Sequence, residues 1–195
     1  MRAPLQRPGG RSARVREAVV TAFLDMLVES GYSQMTFEGL AARAGVHKTT
    51  LYRRWGSREG LLLDVALSTA RDSVPVPDSG SFEQDLRAFV HAVARNLQSP
   101  PAQAMLRAVV SEAMAELRVA EAARQFWEAR FGAAREMVTR AIARGEVPPE
   151  ADADGLIEAL ISPLYLRVLV TQGSLDEGSL TAHAAFVATR ASASP

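Results

Sequence analysis

The sequence predicts an all-α protein of about nine helices, with an N-terminal three-helix helix-turn-helix head joined to a larger helical body. Three observations predict it. Apolar residues recur at helical spacing through almost the whole chain. No segment alternates with the period of two that a half-buried strand requires. Glycine, proline and small polar residues fall between the periodic stretches, where helices start and stop.

The elements follow in order. Residues 1–11, rich in Pro, Gly and Arg, are expected to form a disordered basic arm that either enters a minor groove or solubilises the terminus. Over 12–30, Val15, Val19, Ala22 and Met26, with Phe23 and Leu27, form a helical stripe that Gly31 ends. Thr36 reads as the N-cap of a short helix, and a second short helix ends near Trp55. Between them Gly45 can take the positive φ of a sharp exit, and the small Ala41 and Ala44 allow a close crossing. Leu40, Val46 and Leu51 supply the apolar plug that fixes the angle. Ser57 caps a helix over 58–73, with Glu59 complementing its positive end.

A linker containing Pro75 and Pro77 precedes the body. There Phe82, Leu86, Phe89, Val90, Val93 and Leu97 form one stripe. Ser99 caps a helix opening with Pro100 and Pro101, where missing amide donors do no harm. A long helix over 119–144 ends at Gly145 and Pro148. Asp152 or Asp154 starts a helix reaching near Gly173, which is apolar almost all round and carries Pro163, a predicted kink. Such a helix must be covered on two sides, either by a second subunit or as the central helix of a monomer. A last helix covers about 176–189. The expected domains are therefore a head over 12–57, a connecting helix over 58–73 and a body over 82–190.

Net charge is zero over 195 residues, but its distribution is uneven. Residues 1–60 hold ten basic residues against five acidic ones, so the remainder is acidic by the same margin. A basic module on a different body points to a polyanionic partner. Lys48, the only lysine, opens the second short helix. There is no cysteine, hence no disulfide, thiol nucleophile or thiolate metal site. No histidine follows a glutamate at Glu-x-x-His spacing, and neither a Gly-rich phosphate loop nor a Gly-x-Ser-x-Gly elbow occurs. These gaps argue against an enzyme and against a metal or other cofactor. The longest apolar run is too short and too polar to span a bilayer, and no apolar run follows the N-terminal arginines. A cytoplasmic location and no membrane partner are expected.

The stretch 36–55 carries a resemblance. Thr36, Leu40-Ala41, Ala44-Gly45-Val46, Thr50-Leu51-Tyr52, Trp55, Ser57-Arg58-Glu59 and Leu61-Leu62 stand at the spacing of the amino-terminal domain of the TetR family of bacterial regulators. The chain resembles that family over about residues 12–70. It departs at His47, where the family usually has serine, and at Thr49, where it often has glycine.

The layout places the second short helix in a major groove of double-stranded DNA. Lys48, Thr49 and Thr50 occupy its first turn, where lysine can reach guanine and threonine can contact thymine or phosphate. Arg53 and Arg54 lie a turn on. Tyr52 is implied by the resemblance as a phosphate contact. Thr36 and Arg58 begin helices, whose free amides suit phosphate, and Arg43 could reach the backbone. His47 has two readings, a DNA contact or a poor N-cap.

For the body, the resemblance implies a cavity for a small-molecule effector and a homodimer through the last two long helices. Phe89, Met105, Val109, Met114, Phe126, Trp127, Phe131 and Tyr165 are the lining candidates, with plain core as the alternative for each. His91, Arg95, Arg107 and Arg167 are the candidate polar partners. Leu156, Leu160, Leu164, Val168, Leu180 and Val187 are the candidate dimer contacts. The implied function is a repressor released from a near-palindromic operator by an apolar or amphipathic ligand. The alternative is a helix-turn-helix regulator controlled by a protein partner or by no ligand.

Overall fold

A computed structural model describes residues 10–192, apart from the side chains of residues 11 and 70–73. The basic-arm expectation falls mostly on residues 1–9, outside the described residues. Among the described residues there are nine α-helices and no strand, as the periodicity predicts. They are α1 (Arg11–Ser30), α2 (Phe37–Ala44), α3 (Lys48–Trp55), α4 (Arg58–Ser73), α5 (Phe82–Gln98), α6 (Pro100–Ala115), α7 (Leu117–Ala143), α8 (Ala153–Leu166) and α9 (Glu177–Ser192). A 3-10 turn over Tyr32–Gln34 follows α1. No described helix is long and apolar enough to cross a membrane.

The predicted caps are present. The side chains of Thr36, Ser57, Ser99 and Asp152 each accept a hydrogen bond from the amide three residues on. The start of α5 is the exception: Ser81 makes no capping bond, and Glu146 from beyond α7 accepts the Phe82 amide at 2.7 Å instead. That amide, then the Arg144 guanidinium, hold the Glu146 carboxyl below its usual range. Nearby, the fully buried Asp85 accepts two bonds from Ser79, which pins the linker to α5.

Two apolar clusters form the interior. The head cluster gathers Val19, Phe23 and Leu27 of α1, Leu40, Leu51, Leu61, Leu62 and Val65. It also takes in Ala104, Met105, Ala108 and Val109 of α6 and Ala123 of α7. The body cluster is built from α5, α7, α8 and α9, around Leu86, Met137, Ile157 and Leu160. Each fully buried leucine contributes about 1.5–3 kcal/mol.

The dimer expectation needs correcting in register. Leu160, Leu164, Leu180 and Val187 are buried in the protomer's own core, so they present no surface to a second subunit. Leu156 and Val168 are half-buried. The apolar residues turned outward on these elements are Leu166 (54% exposed), Val170 (69%) and Phe186 (63%). A helix with apolar residues on every side carries no polar face to say which side points inward.

Pro163 lies inside α8 and has no amide hydrogen, so the Ala159 carbonyl loses its helical donor. His183 of α9 replaces it: Nε2 lies 3.1 Å from Ala159 O and 3.1 Å from Leu160 O. Since carbonyls only accept, Nε2 carries the proton. Past Leu166 the helix widens into a π turn over Arg167–Thr171, closed by Gln172 at φ 50°. Arg167, only half-buried, donates to the Ser174 carbonyl at 3.3 Å. His183→Ala is expected to cost about 1 kcal/mol by leaving the Ala159 carbonyl without a donor. Differential scanning calorimetry should show a fall in Tm of roughly 2–4 °C. An unchanged Tm would mean that water replaces the imidazole without loss.

Candidate nucleic-acid interface and effector cavity

The head is built around the bend at Gly45. Gly45 sits in the left-handed region (φ 65°, ψ 33°) and closes α2. Its amide reaches Ala42 O, and the Val46 amide reaches Ala41 O at 3.0 Å, so the last α2 carbonyls are satisfied. His47 is extended, exposed and forms no capping bond, which leaves its side chain clear of the cap role.

Within α3, Leu51 is fully buried and fixes the helix's orientation. Lys48, Thr49, Tyr52 and Arg53 are all exposed and share the opposite face, at i, i+1, i+4 and i+5. Thr50 is half-buried at the flank. Tyr52 is held edge-on against Phe37, ring centroids 4.9 Å apart. Lys48 pairs with Glu38 at 3.2 Å, both well exposed. Glu38's own amide and Lys48 hold that carboxyl below its usual range. An exposed pair of this kind contributes little stability, so Lys48 can exchange Glu38 for a base or phosphate.

Three other basic candidates pair with groups of the head itself, Arg43 and Arg54 at exposed positions and Arg58 half-buried. Arg43 meets Glu29 through both guanidinium nitrogens at 2.5 Å, with Asp25 at 3.8 Å. The end of α2 lies on the end of α1, and Arg43 spans that seam at an exposed position. Arg58 donates to Met35 O at 2.7 Å and stacks over the Tyr32 ring, tying α4 to the 3-10 turn. Arg54 donates to Ser12 and covers the Trp55 ring, tying α3 to the start of α1. Thr36 is exposed, but its hydroxyl serves the Gly39 amide. A residue that sequence reasoning missed, Asp64 of α4, accepts from Trp55 Nε1 at 2.9 Å and Arg16 at 3.1 Å, joining three helices. An acid on an amphipathic helix carries no mark of that role in the sequence.

Between head and body lies a cavity of about 180 Å³. Leu24 of α1, Ala66 and Thr69 of α4, Asn96 and Leu97 of α5, and Met105, Leu106 and Val109 of α6 line one side. Phe126, Trp127 and Arg130 of α7 and Tyr165 of α8 line the other. Trp127 stands edge-on to Phe126 (4.9 Å) and to Tyr165 (5.0 Å). Burial pushes the Tyr165 phenol up to about 12, so it stays protonated. Burial pushes the Arg130 guanidinium down, with Tyr165 beside it opposing the shift.

Of the eight lining candidates, Met105, Val109, Phe126, Trp127 and Tyr165 meet at this cavity. Phe131 lines a neighbouring open groove against Trp127, at 6.1 Å. Two candidates are corrected. Phe89 is packed in the body core, and Met114 is 86% exposed where α6 ends. His91 bonds Thr181 and Arg107 bonds Gln103, and none of His91, Arg95, Arg107 and Arg167 lines the cavity. Arg130, Asn96 and Leu24 were not foreseen.

Comparison with known proteins adds to this geometry. A family model described as bacterial regulatory proteins, tetR family, matches residues 20–65. A tetracyclin repressor-like C-terminal domain model matches residues 76–187. The HTH-type transcriptional regulator AqdR of Rhodococcus erythropolis is 38% identical over 164 residues, covering 84% of this chain and 78% of that protein. The DNA-binding transcriptional repressor TetR of Mycobacteroides abscessus is 26% identical, covering 82% and 84%. The crystal structure of the TetR family transcription regulator SCO0332 superposes with a TM-score of 0.75 at 30% identity, over 93% of this chain and all of that one.

Proposed function

Because the chain belongs to the TetR family of helix-turn-helix transcriptional regulators, we propose that it works as a homodimeric repressor of a near-palindromic operator, released by a small molecule in the α1/α4/α7 cavity. The observation that carries the DNA half of this reading is the exposed α3 face of Lys48, Thr49, Tyr52 and Arg53, backed by the buried Leu51. Such a face enters a major groove while neighbouring groups hold phosphates. A two-fold pair joined along α8 and α9, through Leu166, Val170 and Phe186, would present two such faces to two half-sites. Repression is supported by a relative that bears that name.

Ligand control is supported by where the cavity lies. Its walls come from α1 and α4 of the DNA-reading end and from α6, α7 and α8 of the body. An occupant that fits one arrangement of these walls better than another shifts the separation of the heads, and operator affinity falls by the same coupling. In-vitro selection of bound DNA tests the reading. It should recover a site with two-fold internal symmetry, and a site without symmetry would overturn the dimeric reading.

Single substitutions separate the roles. Arg53→Ala is expected to weaken binding to all sequences and lower the salt slope by about one. Lys48→Ala should relax preference at one base position, at a cost of about 1–3 kcal/mol against the best site. Arg43→Ala should lower the salt slope less than Arg53→Ala, because Arg43 must leave Glu29 to reach a phosphate. Fluorescence anisotropy across a salt series reads all three. An equal loss of slope in Arg43→Ala and Arg53→Ala would refute the assignment.

A further inference from the structure

We propose that Glu38 reads DNA together with Lys48, the two side chains forming a donor–acceptor couple that selects a G·C base pair, with Lys48 on guanine and Glu38 on cytosine. The inference rests on the DNA-binding reading above and specifies one base pair of the operator. Placement comes first. Phe37 of α2 packs edge-on against Tyr52 at 4.9 Å, which brings the first turn of α2 beside the outward face of α3. Glu38, the next residue, is exposed and lies 3.2 Å from Lys48 Nζ. Its carboxylate therefore borders the face that carries Lys48, Thr49, Tyr52 and Arg53. Its own amide and Lys48 hold the carboxyl below its usual range, so at neutral pH it is ionised and only accepts.

Chemistry then selects the base pair. In the major groove guanine shows the acceptors N7 and O6, and cytosine shows a donor, its N4 amino group. O6 and N4 hydrogen-bond each other within the pair, so they stand about 2.9 Å apart. The head groups of Lys48 and Glu38 are spaced alike, at 3.2 Å. An ammonium set on N7 and O6 thus leaves the neighbouring carboxylate on N4, which replaces the partner that Glu38 loses when Lys48 turns to guanine. A T·A pair repeats the inner acceptor and donor, O4 and N6. It also sets the thymine methyl under the ammonium and the adenine N7 acceptor against the carboxylate. C·G and A·T turn a donor toward the ammonium and an acceptor toward the carboxylate. A carboxylate without a donor among phosphates is repelled, so Glu38 discriminates against the wrong pair as well as favouring the right one.

Selection from a random duplex library with the full-length chain tests this, followed by anisotropy titration of duplexes carrying every base pair at each recovered position. Wild type is expected to prefer G·C over T·A by roughly tenfold or more at the position that Lys48→Ala relaxes. Glutamine accepts from adenine N6 and donates to its N7, so Glu38→Gln should move that same position toward T·A and cut the preference to about threefold or less. An acid that only favours the positive end of α2 would, when replaced, change affinity by one factor for every sequence. Such a uniform change would overturn the proposal. So would a wild-type site without G·C at the Lys48 position, a result that needs no variant and that misfolding cannot mask. A shift confined to positions that Lys48→Ala leaves untouched would also overturn it. The DNA-binding reading fails separately: a wild-type chain that selects no sequence defeats that reading, whereas a clear site indifferent to Glu38→Gln defeats the Glu38 assignment alone.

Discussion

Replacing Gly60 by alanine is expected to destabilise the protein and remove operator binding, although helix propensity alone predicts the opposite. Gly60 is the third residue of α4, and its amide bonds the Ser57 cap. Alanine in a helix gains up to about 1 kcal/mol over glycine. A Cβ at Gly60, however, would lie 2.3 Å from the Trp55 carbonyl oxygen. That oxygen is main chain and also accepts the Ser57 amide at 2.8 Å, so it cannot swing aside as a side chain could. Overpacking against backbone costs about 3 kcal/mol, which outweighs the propensity gain by about 2 kcal/mol. For a chain of this length Tm should fall by roughly 4–8 °C. Relief of the clash must move α3 against α4, displacing the Lys48 to Arg53 face. Calorimetry and a gel-shift titration check both effects. A raised Tm would show that the junction yields freely.

If two protomers pair along α8 and α9 as proposed, Phe186→Glu is expected to convert that dimer into a monomer while leaving each protomer folded. Phe186 lies on the outward side of α9 and is 63% exposed, so a charge there disturbs no core. In a two-fold contact it would meet its own counterpart's surroundings and place like charges in a drying interface. Losing the partner removes the linked binding of a second half-site, which is worth about 10²–10⁴ in affinity. Sedimentation velocity and operator titration measure the two consequences, and Leu166→Glu, on the neighbouring element, should behave alike. By contrast, a charge at Leu160 would unfold the body, since that side chain is fully buried. If Phe186→Glu remains dimeric, the contact lies elsewhere.

The helices were readable because their signals are local. Thr36, Ser57, Ser99 and Asp152 cap within three residues, and Gly45 needs only its own φ. The α3 face was readable for the same reason, since Leu51 alone decides which side points out. What escaped depends on contacts far along the chain. Nothing near Arg43 announces its ion pair with Glu29, fourteen residues earlier. Nothing near Arg130 in the sequence marks it for the cavity wall, which it reaches only through the packing of α7 against α8. Met114 continues the α6 stripe in sequence, but the stripe outlasts the neighbours that would cover it. Along α8 the periodicity gave no orientation, so the inward leucines stood in for the outward ones.

Because Ala104, Met105, Ala108 and Val109 of α6 close the core that begins at Val19, the DNA-reading end has no clean seam behind α4. A chimera that grafts residues 12–73 onto a foreign effector module would carry an open wound on its underside. Diversification of this scaffold must therefore move α6 along with the reading head, or re-tailor both surfaces together, so that specificity for DNA and for effector are inherited as one piece.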